Sequence, residues 1–332
     1  MIWLTWRQFR AGAAMMAAAL AVLAAVLGLT GPGLADEYST ASASCAAQSD
    51  DCRRIFDQLF GANQNAFLAV SAVALVLPAI IGLFWGAPLI TRELEAGTHR
   101  LVWQQSITRT RWLAVKLGLT GLAAMTAAGL GSLAVTWWAA PIDKTNPEDF
   151  ARIAPLVFGT RGIVPIGYAA FAFALGVTIG MLVRRTLPAM AITLAAFAAV
   201  QVAMPLLVRP HLLSPTSTTT VVSMSNLDSL ILGDDRRLRV TVNAPTGGWL
   251  RSSHTVDRSG RAVETIPGPC PPSPEGPETC LAQIERLGYR QQVTYHPSSR
   301  FWAFQWLETG IYIVLSLGLA AFCFWWTRRR LS

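Results

Sequence analysis

The sequence is poor in charge. Asp, Glu, Lys and Arg make up 14% of its 332 residues, and six long stretches contain none of them. These are residues 11–30, 66–90, 117–140, 162–183, 187–208 and 309–327. Their lack of a polar face excludes a soluble helical fold, whose helices keep one side in water. Each stretch is near or above the roughly 20 residues that a helix needs to cross a ~30 Å hydrocarbon core. A helix satisfies its own backbone hydrogen bonds, so six spanning helices are expected.

Catalytic signatures are also missing. No Gly-Lys dipeptide occurs, so the phosphate-cradling Gly-x-x-x-x-Gly-Lys-[Ser/Thr] loop is absent. Gly-x-Ser-x-Gly and His-Glu-x-x-His are absent as well. The four histidines, His99, His211, His254 and His296, are far apart in sequence and give no ligand pair. The chain is therefore expected to be no enzyme and to bind no metal or cofactor. Within the six stretches the only ionisable side chains are Cys323, Tyr168 and Tyr312. Ion-coupled transporters place Asp, Glu, His or Lys at depth, despite a cost of about 2.5–3.5 kcal/mol per charge. Energy for any transport must then come from elsewhere.

The charge that is present follows a pattern. Arg7 and Arg10 precede the first stretch. Arg92, Arg100, Arg109, Arg111 and Lys116 lie between the second and third, and Arg184 and Arg185 between the fourth and fifth. Arg328, Arg329 and Arg330 follow the sixth. With six spans these segments share one side, which the positive-inside rule makes cytoplasmic, so both termini are expected there. The first outer loop, 31–65, is acidic: Asp36, Glu37, Asp50, Asp51 and Asp57 stand against Arg53 and Arg54. The ten arginines of 209–308 do not overturn this, because long translocated segments carry little topological information. The net charge of +8 is thus assigned to anionic lipid, and no nucleic-acid partner is expected. Tryptophans such as Trp85, Trp112, Trp137, Trp138, Trp302, Trp306, Trp325 and Trp326 gather near the stretch ends, as membrane-interface belts do.

Five cysteines occur, and none falls in a cytoplasmic loop of this topology. Cys45, Cys52, Cys270 and Cys280 fall outside, where an oxidising compartment permits disulfides. They allow three pairings, of which the local pairs Cys45–Cys52 and Cys270–Cys280 are expected. Cys323 reads as a small buried apolar residue. The first stretch is long for a signal peptide and is expected to be retained, although Gly33-Leu34-Ala35 resembles a cleavage site.

The expected fold is an all-α integral membrane protein with a small extracytoplasmic α+β insertion before the last helix. Residues 1–208 hold five spans, preceded by an interfacial helix over 1–10. Residues 209–308 form the insertion, and 309–332 the sixth span with a basic tail. In the first outer loop, a helix is expected only from about residue 50 to 65. Within the insertion, 214–220 is expected to be loose, 239–243 and 292–295 are strand candidates, and 279–287 a short helix. Phe301, Trp302, Phe304 and Trp306 suit an interfacial helix feeding the sixth span. Gly176 and Gly180 form a small-xxx-small pair that allows close helix approach, within one subunit or between two.

The inner loop 91–116 is the informative one. Its charged helix end is broken at Gly97, and Thr98 is placed to cap a second short helix carrying Leu101, Val102 and Trp103. Such a projecting helix suits a partner's groove. Arg92-Glu93-x-Glu95-x-Gly97-Thr98, followed by Ser106-Ile107-Thr108-Arg109 and Lys116, resembles the inner loop of ABC-2-type exporter permeases. The segments Glu95-x-Gly97-Thr98-His99-Arg100-Leu101 and Phe304-Gln305-Trp306-x-Glu308-Thr309-Gly310 look most like actinobacterial members. Gln105-Ser106 stands where many members have proline, and the 209–308 segment is longer than in drug or polysaccharide exporters.

The resemblance implies a permease subunit in the plasma membrane, paired as a homodimer or heterodimer. A separate ABC ATPase would bind ATP and Mg and dock on this loop. It implies that Arg92, Glu93, Glu95, Gly97, Thr98 and Arg100 carry the coupling, and that transport is export. The apolar spans suit a hydrophobic or amphipathic cargo. The alternative is a non-transporting sensor or resistance accessory that binds a ligand through the 209–308 segment.

Overall fold

A computed structural model describes residues 2–47, 52–97, 108–145, 150–223, 226–232, 237–242, 247–267 and 277–329. It divides into two compact units: 1–145, 156–212 and 302–332 form the first, and 146–155 with 213–301 the second.

The first unit is helical. It comprises α1 (Ile2–Ala47), α2 (Cys52–Ile81), α3 (Pro88–Glu95), α4 (Arg109–Thr145), α5 (Val164–Val183), α6 (Thr186–Ala203) and a last helix of residues Phe301–Arg329. A π-helical turn, Gly82–Gly86, joins α2 to α3. Six helical stretches are long and apolar enough to cross a membrane: Phe9–Ala46, Arg54–Glu95, Arg109–Thr145, Val164–Val183, Thr186–His211 and Ser298–Arg329.

These helices outrun the apolar stretches. α1 has 46 residues with Pro32 inside it, about 70 Å at 1.5 Å per residue. The break expected after residue 10 is absent, and Phe9 packs edge-on against Trp85 at 4.5 Å within the bundle. Much of the expected loop 31–65 is helical: the two arms run to Ala47 and resume at Cys52. Within this Ser/Thr-rich helix Ser39, Thr40, Ser42 and Ser44 donate to carbonyls three or four residues back, which satisfies their hydroxyls without leaving the helix. Tyr38 stacks on Phe56 at 6.2 Å, Asn63 donates to Glu37 at 2.9 Å, and the Cys45–Cys52 disulfide joins the arms.

α5 is the hub. Its apolar window is 78% buried, against 11–33% for the other five stretches. Gly176 and Gly180 serve this packing. A Cβ on Gly180 would lie 2.6 Å from the Ala87 carbonyl oxygen, and one on Gly86 would lie 2.6 Å from that of Phe173. The small-residue pair therefore seats the π turn and α3 against α5 inside one chain. Trp85, Ile90, Trp112, Phe173, Met181 and Cys323 share the adjoining core.

The second unit carries β1 (Thr216–Thr220), β2 (Leu227–Leu232), β3 (Arg237–Val242), β4 (Trp249–Val256), β5 (Ala262–Val263), β6 (Ile266–Pro267), α7 (Pro277–Leu287) and β7 (Arg290–His296). Now numbered in chain order, the last helix is α8. Two antiparallel sheets form, in the orders β1-β7-β4-β5 and β2-β3-β6. Leu238, Val240, Val242, Ile284 and Val293 build the core. The expected loose segment 214–220 is instead mostly strand, since β1 pairs with β7 and Ser217 hydrogen-bonds Thr294 at 3.0 Å. Threonine's β-branch favours that conformation.

The insertion is narrower than its charge pattern implied. Arg209–Leu212 and Trp302–Glu308 belong to the helical unit, and 146–155 belongs with the insertion. The expected interfacial helix before the sixth span is the first part of the unbroken α8.

Candidate functional site

Charged side chains just beyond the apolar stretches turn inward at both ends of the helical unit. At one end, α3 finishes with two carboxylates. Glu93 is 8% exposed and accepts from Lys116 of α4, itself 3% exposed. The Lys116 ammonium also lies 5.2 Å from the Trp112 ring centroid. Glu95 accepts from the Thr186 backbone N–H at 2.8 Å and from its hydroxyl at 2.5 Å. It thereby caps the first turn of α6 from another helix, where unpaired N–H groups and the helix dipole favour a carboxylate. α5 ends at Arg184 in a left-handed conformation (φ 58°), so only Arg184 and Arg185 separate α5 from α6.

Gly97 follows α3 with φ 69°, a conformation glycine adopts without steric cost. The expected break is therefore present. Thr98 and Arg100 lie outside the described residues. Arg92 is exposed.

At the other end, Arg209 forms a two-pronged ion pair with Glu308 across 99 residues. Its Nε lies 2.7 Å and its Nη2 2.9 Å from the carboxylate oxygens. The Tyr168 hydroxyl donates to the same carboxylate at 2.5 Å, and the Arg209 guanidinium lies 4.3 Å from the Phe158 ring centroid. All three polar residues are at most 2% exposed. Nearby, the Gln305 carbonyl oxygen accepts the Ile163 and Val164 N–H groups at 2.9 Å each, capping α5 from α8. Buried Arg161 pairs with Asp143 at 3.4 Å.

Of the expected disulfides, Cys45–Cys52 is formed, with Cα atoms 4.6 Å apart. Cys280 is also disulfide-bonded; Cys270 lies outside the described residues. Cys323 is free and buried. Among the described residues, no group of three or more His, Cys, Asp or Glu could hold a metal ion.

The profile of the family described as ABC-2 membrane transporter related matches residues 17–209, more than half of the chain. The chain belongs to this family. No curated protein and no solved structure matches it. As an ABC-2-related chain with six apolar spans it is a multi-pass membrane protein of the ABC permease type, and partnership with an ABC ATPase follows at that coarse level. The matched stretch takes in Arg92, Glu93, Glu95 and Gly97 and ends at Arg209.

Sequence reasoning named the two glutamates and Lys116 in one loop without pairing them, and did not single out Thr186. It passed over Arg209 as one arginine among ten. Glu308 and Gln305 did stand in the Phe304–Gly310 segment of the resemblance. Of that segment, Gln305 caps α5, Glu308 holds Arg209, and Phe304 packs edge-on against Phe158 at 6.5 Å.

Proposed function

We propose that this ABC-2-related chain is the membrane subunit of an ATP-driven exporter for a hydrophobic or amphipathic compound. Two such subunits form the pathway, and a separate ATPase docks on the 91–116 loop and performs the hydrolysis. In this reading the loop and both termini are cytoplasmic, in the plasma membrane. The arginine bias supports that orientation. So does the Cys45–Cys52 disulfide, which tips the hairpin on the other side of the first span and suits an oxidising compartment.

The family match carries the reading, because it spans the 91–116 loop, and the sequence has no Gly-x-x-x-x-Gly-Lys-[Ser/Thr] motif. The polar contacts supply a route. Movement of the docked loop shifts α3. Glu93 passes that shift to α4 through Lys116, and Glu95 passes it to α6 through Thr186. The far end of the fifth span is held to α5 and α8 by Arg209, Tyr168 and Glu308. The fifth span thus links the loop to the opposite side.

A gentle-detergent pull-down from native membranes tests this, with the native chain beside a Glu95→Arg/Gly97→Val variant. The native chain is expected to retain an ATPase subunit that the variant loses. Absence of an ATPase from both removes the transporter reading.

One observation favours a second reading, a ligand-binding sensor. The inserted unit has a polar groove of about 580 Å³ lined by Asp257, Arg258, Glu285, Tyr289 and Arg290. The Ser259 hydroxyl and the Arg261 and Ser259 N–H groups hold the Asp257 carboxyl below its usual range. A ligand that binds this groove without altering ATP hydrolysis in the reconstituted complex would favour the sensor.

A further inference from the structure

A groove of about 650 Å³ runs along α1 beside the α2–α3 stretch. Ala11, Met15 and Ala19 line it from α1, and Ile80 and Phe84 from the other side. Met15 and Phe84 are 70% and 57% exposed. The lining of α1 runs from Thr5 to Ala19, a length of about 21 Å at 1.5 Å per residue. One leaflet contributes about 15 Å of hydrocarbon, half of the core thickness. The trough therefore accommodates an extended acyl chain. Its walls offer water few hydrogen bonds, so water is a poor occupant.

One end of the groove is chemically different. Arg92 and Glu93 both line it; Lys116 neutralises the Glu93 carboxylate, and the neighbouring Glu95 is held by Thr186. Arg7 and Arg10 are exposed on the first turns of α1, where Phe9 and Ala11 contribute to the lining. Trp85, whose indole has an apolar body and a polar N–H, sits in the wall near this end. An apolar trough with a cationic mouth matches an amphiphile whose head is anionic. A zwitterionic head would bring its own cation to the same arginines.

We propose that this groove binds one anionic phospholipid of the surrounding bilayer, with an acyl chain along α1 and the headgroup phosphate at Arg92. The lipid is a resident of the protein surface rather than cargo, so the proposal does not rest on the exporter reading.

The test uses the full chain, purified in a mild non-ionic detergent. It is offered phosphatidylglycerol and phosphatidylcholine with matched acyl chains, and bound lipid is counted by native mass spectrometry. One phosphatidylglycerol per chain is expected in preference to phosphatidylcholine. Arg92→Gln should cut that preference about fivefold, the fold-change that one cation at an anionic surface supplies. Ala19→Trp should fill the trough and abolish retention of both lipids. Equal occupancy by the two lipids, or unchanged retention in both variants, overturns the proposal. A phosphatidylglycerol with a photoreactive acyl chain gives a readout on the native chain that needs no variant. Labelling within 11–19 and 77–89 supports the site, and labelling confined to other residues overturns it.

Discussion

The two ends of the helical unit solve the same problem differently. Each has charges just beyond an apolar stretch, and each pairs them between helices. Around Arg209 and Glu308 both prongs of the guanidinium are used, a tyrosine hydroxyl fills a further site on the carboxylate, and the group is fully enclosed. Around Glu93 and Lys116 the pair is buried, but the adjacent Glu95–Thr186 contact is exposed and the chain leaves through the left-handed Gly97. A buried pair that loses one partner strands a charge at low dielectric, so the first arrangement resists change. The second can be remade through water on one side. One end is locked and the other adjustable.

The sharpest way to break this contrast is Glu308→Ala, which leaves Arg209 buried and unpaired. It is expected to cost about 4 kcal/mol, in the range for halving a buried pair. The readout is the thermal midpoint of the purified chain in detergent, and Arg209→Met/Glu308→Met together should recover much of the loss. Lys116→Met is the matching cut at the other end and should cost about 3 kcal/mol, less because Glu93 keeps some contact with solvent. An equal or larger loss than for Glu308→Ala would reverse the ranking of the two ends. Cys45→Ser with Cys52→Ser probes the covalent tie on the hairpin. Opening so short a loop is expected to cost about 2.5 kcal/mol in chain entropy, detected as faster proteolysis between the arms. Glu95→Gln should change the midpoint least of all, while lowering transport per ATP hydrolysed in a reconstituted complex. A normal coupling ratio in that variant would remove the route through α6.

The six spans were legible because their signal is an absence of charge, which sequence reports directly. Their true lengths were not. Glu93, Lys116, Arg209 and Glu308 looked like the ends of spans, yet each continues a helix once its partner neutralises it. That partner lies 23 residues away for Lys116 and 99 for Arg209, beyond any local pattern. Gly97 was readable because a left-handed residue is a local requirement. The Gln305 cap on α5 was not, because its recipients, Ile163 and Val164, are about 140 positions away. β1 was misread because a run of serine and threonine suits either a loose linker or a strand, and only the pairing with β7 decides.

The position of the Arg209–Glu308 pair has one more consequence. The longer of the two segments of the inserted unit starts at Leu213 and finishes at Phe301, so this pair ties together the chain where it leaves for that segment and where it returns. The transmembrane fold is sewn shut at the base of its longest excursion. A change in the length of the 213–301 segment would leave that seam, and the bundle's own stitching there, intact.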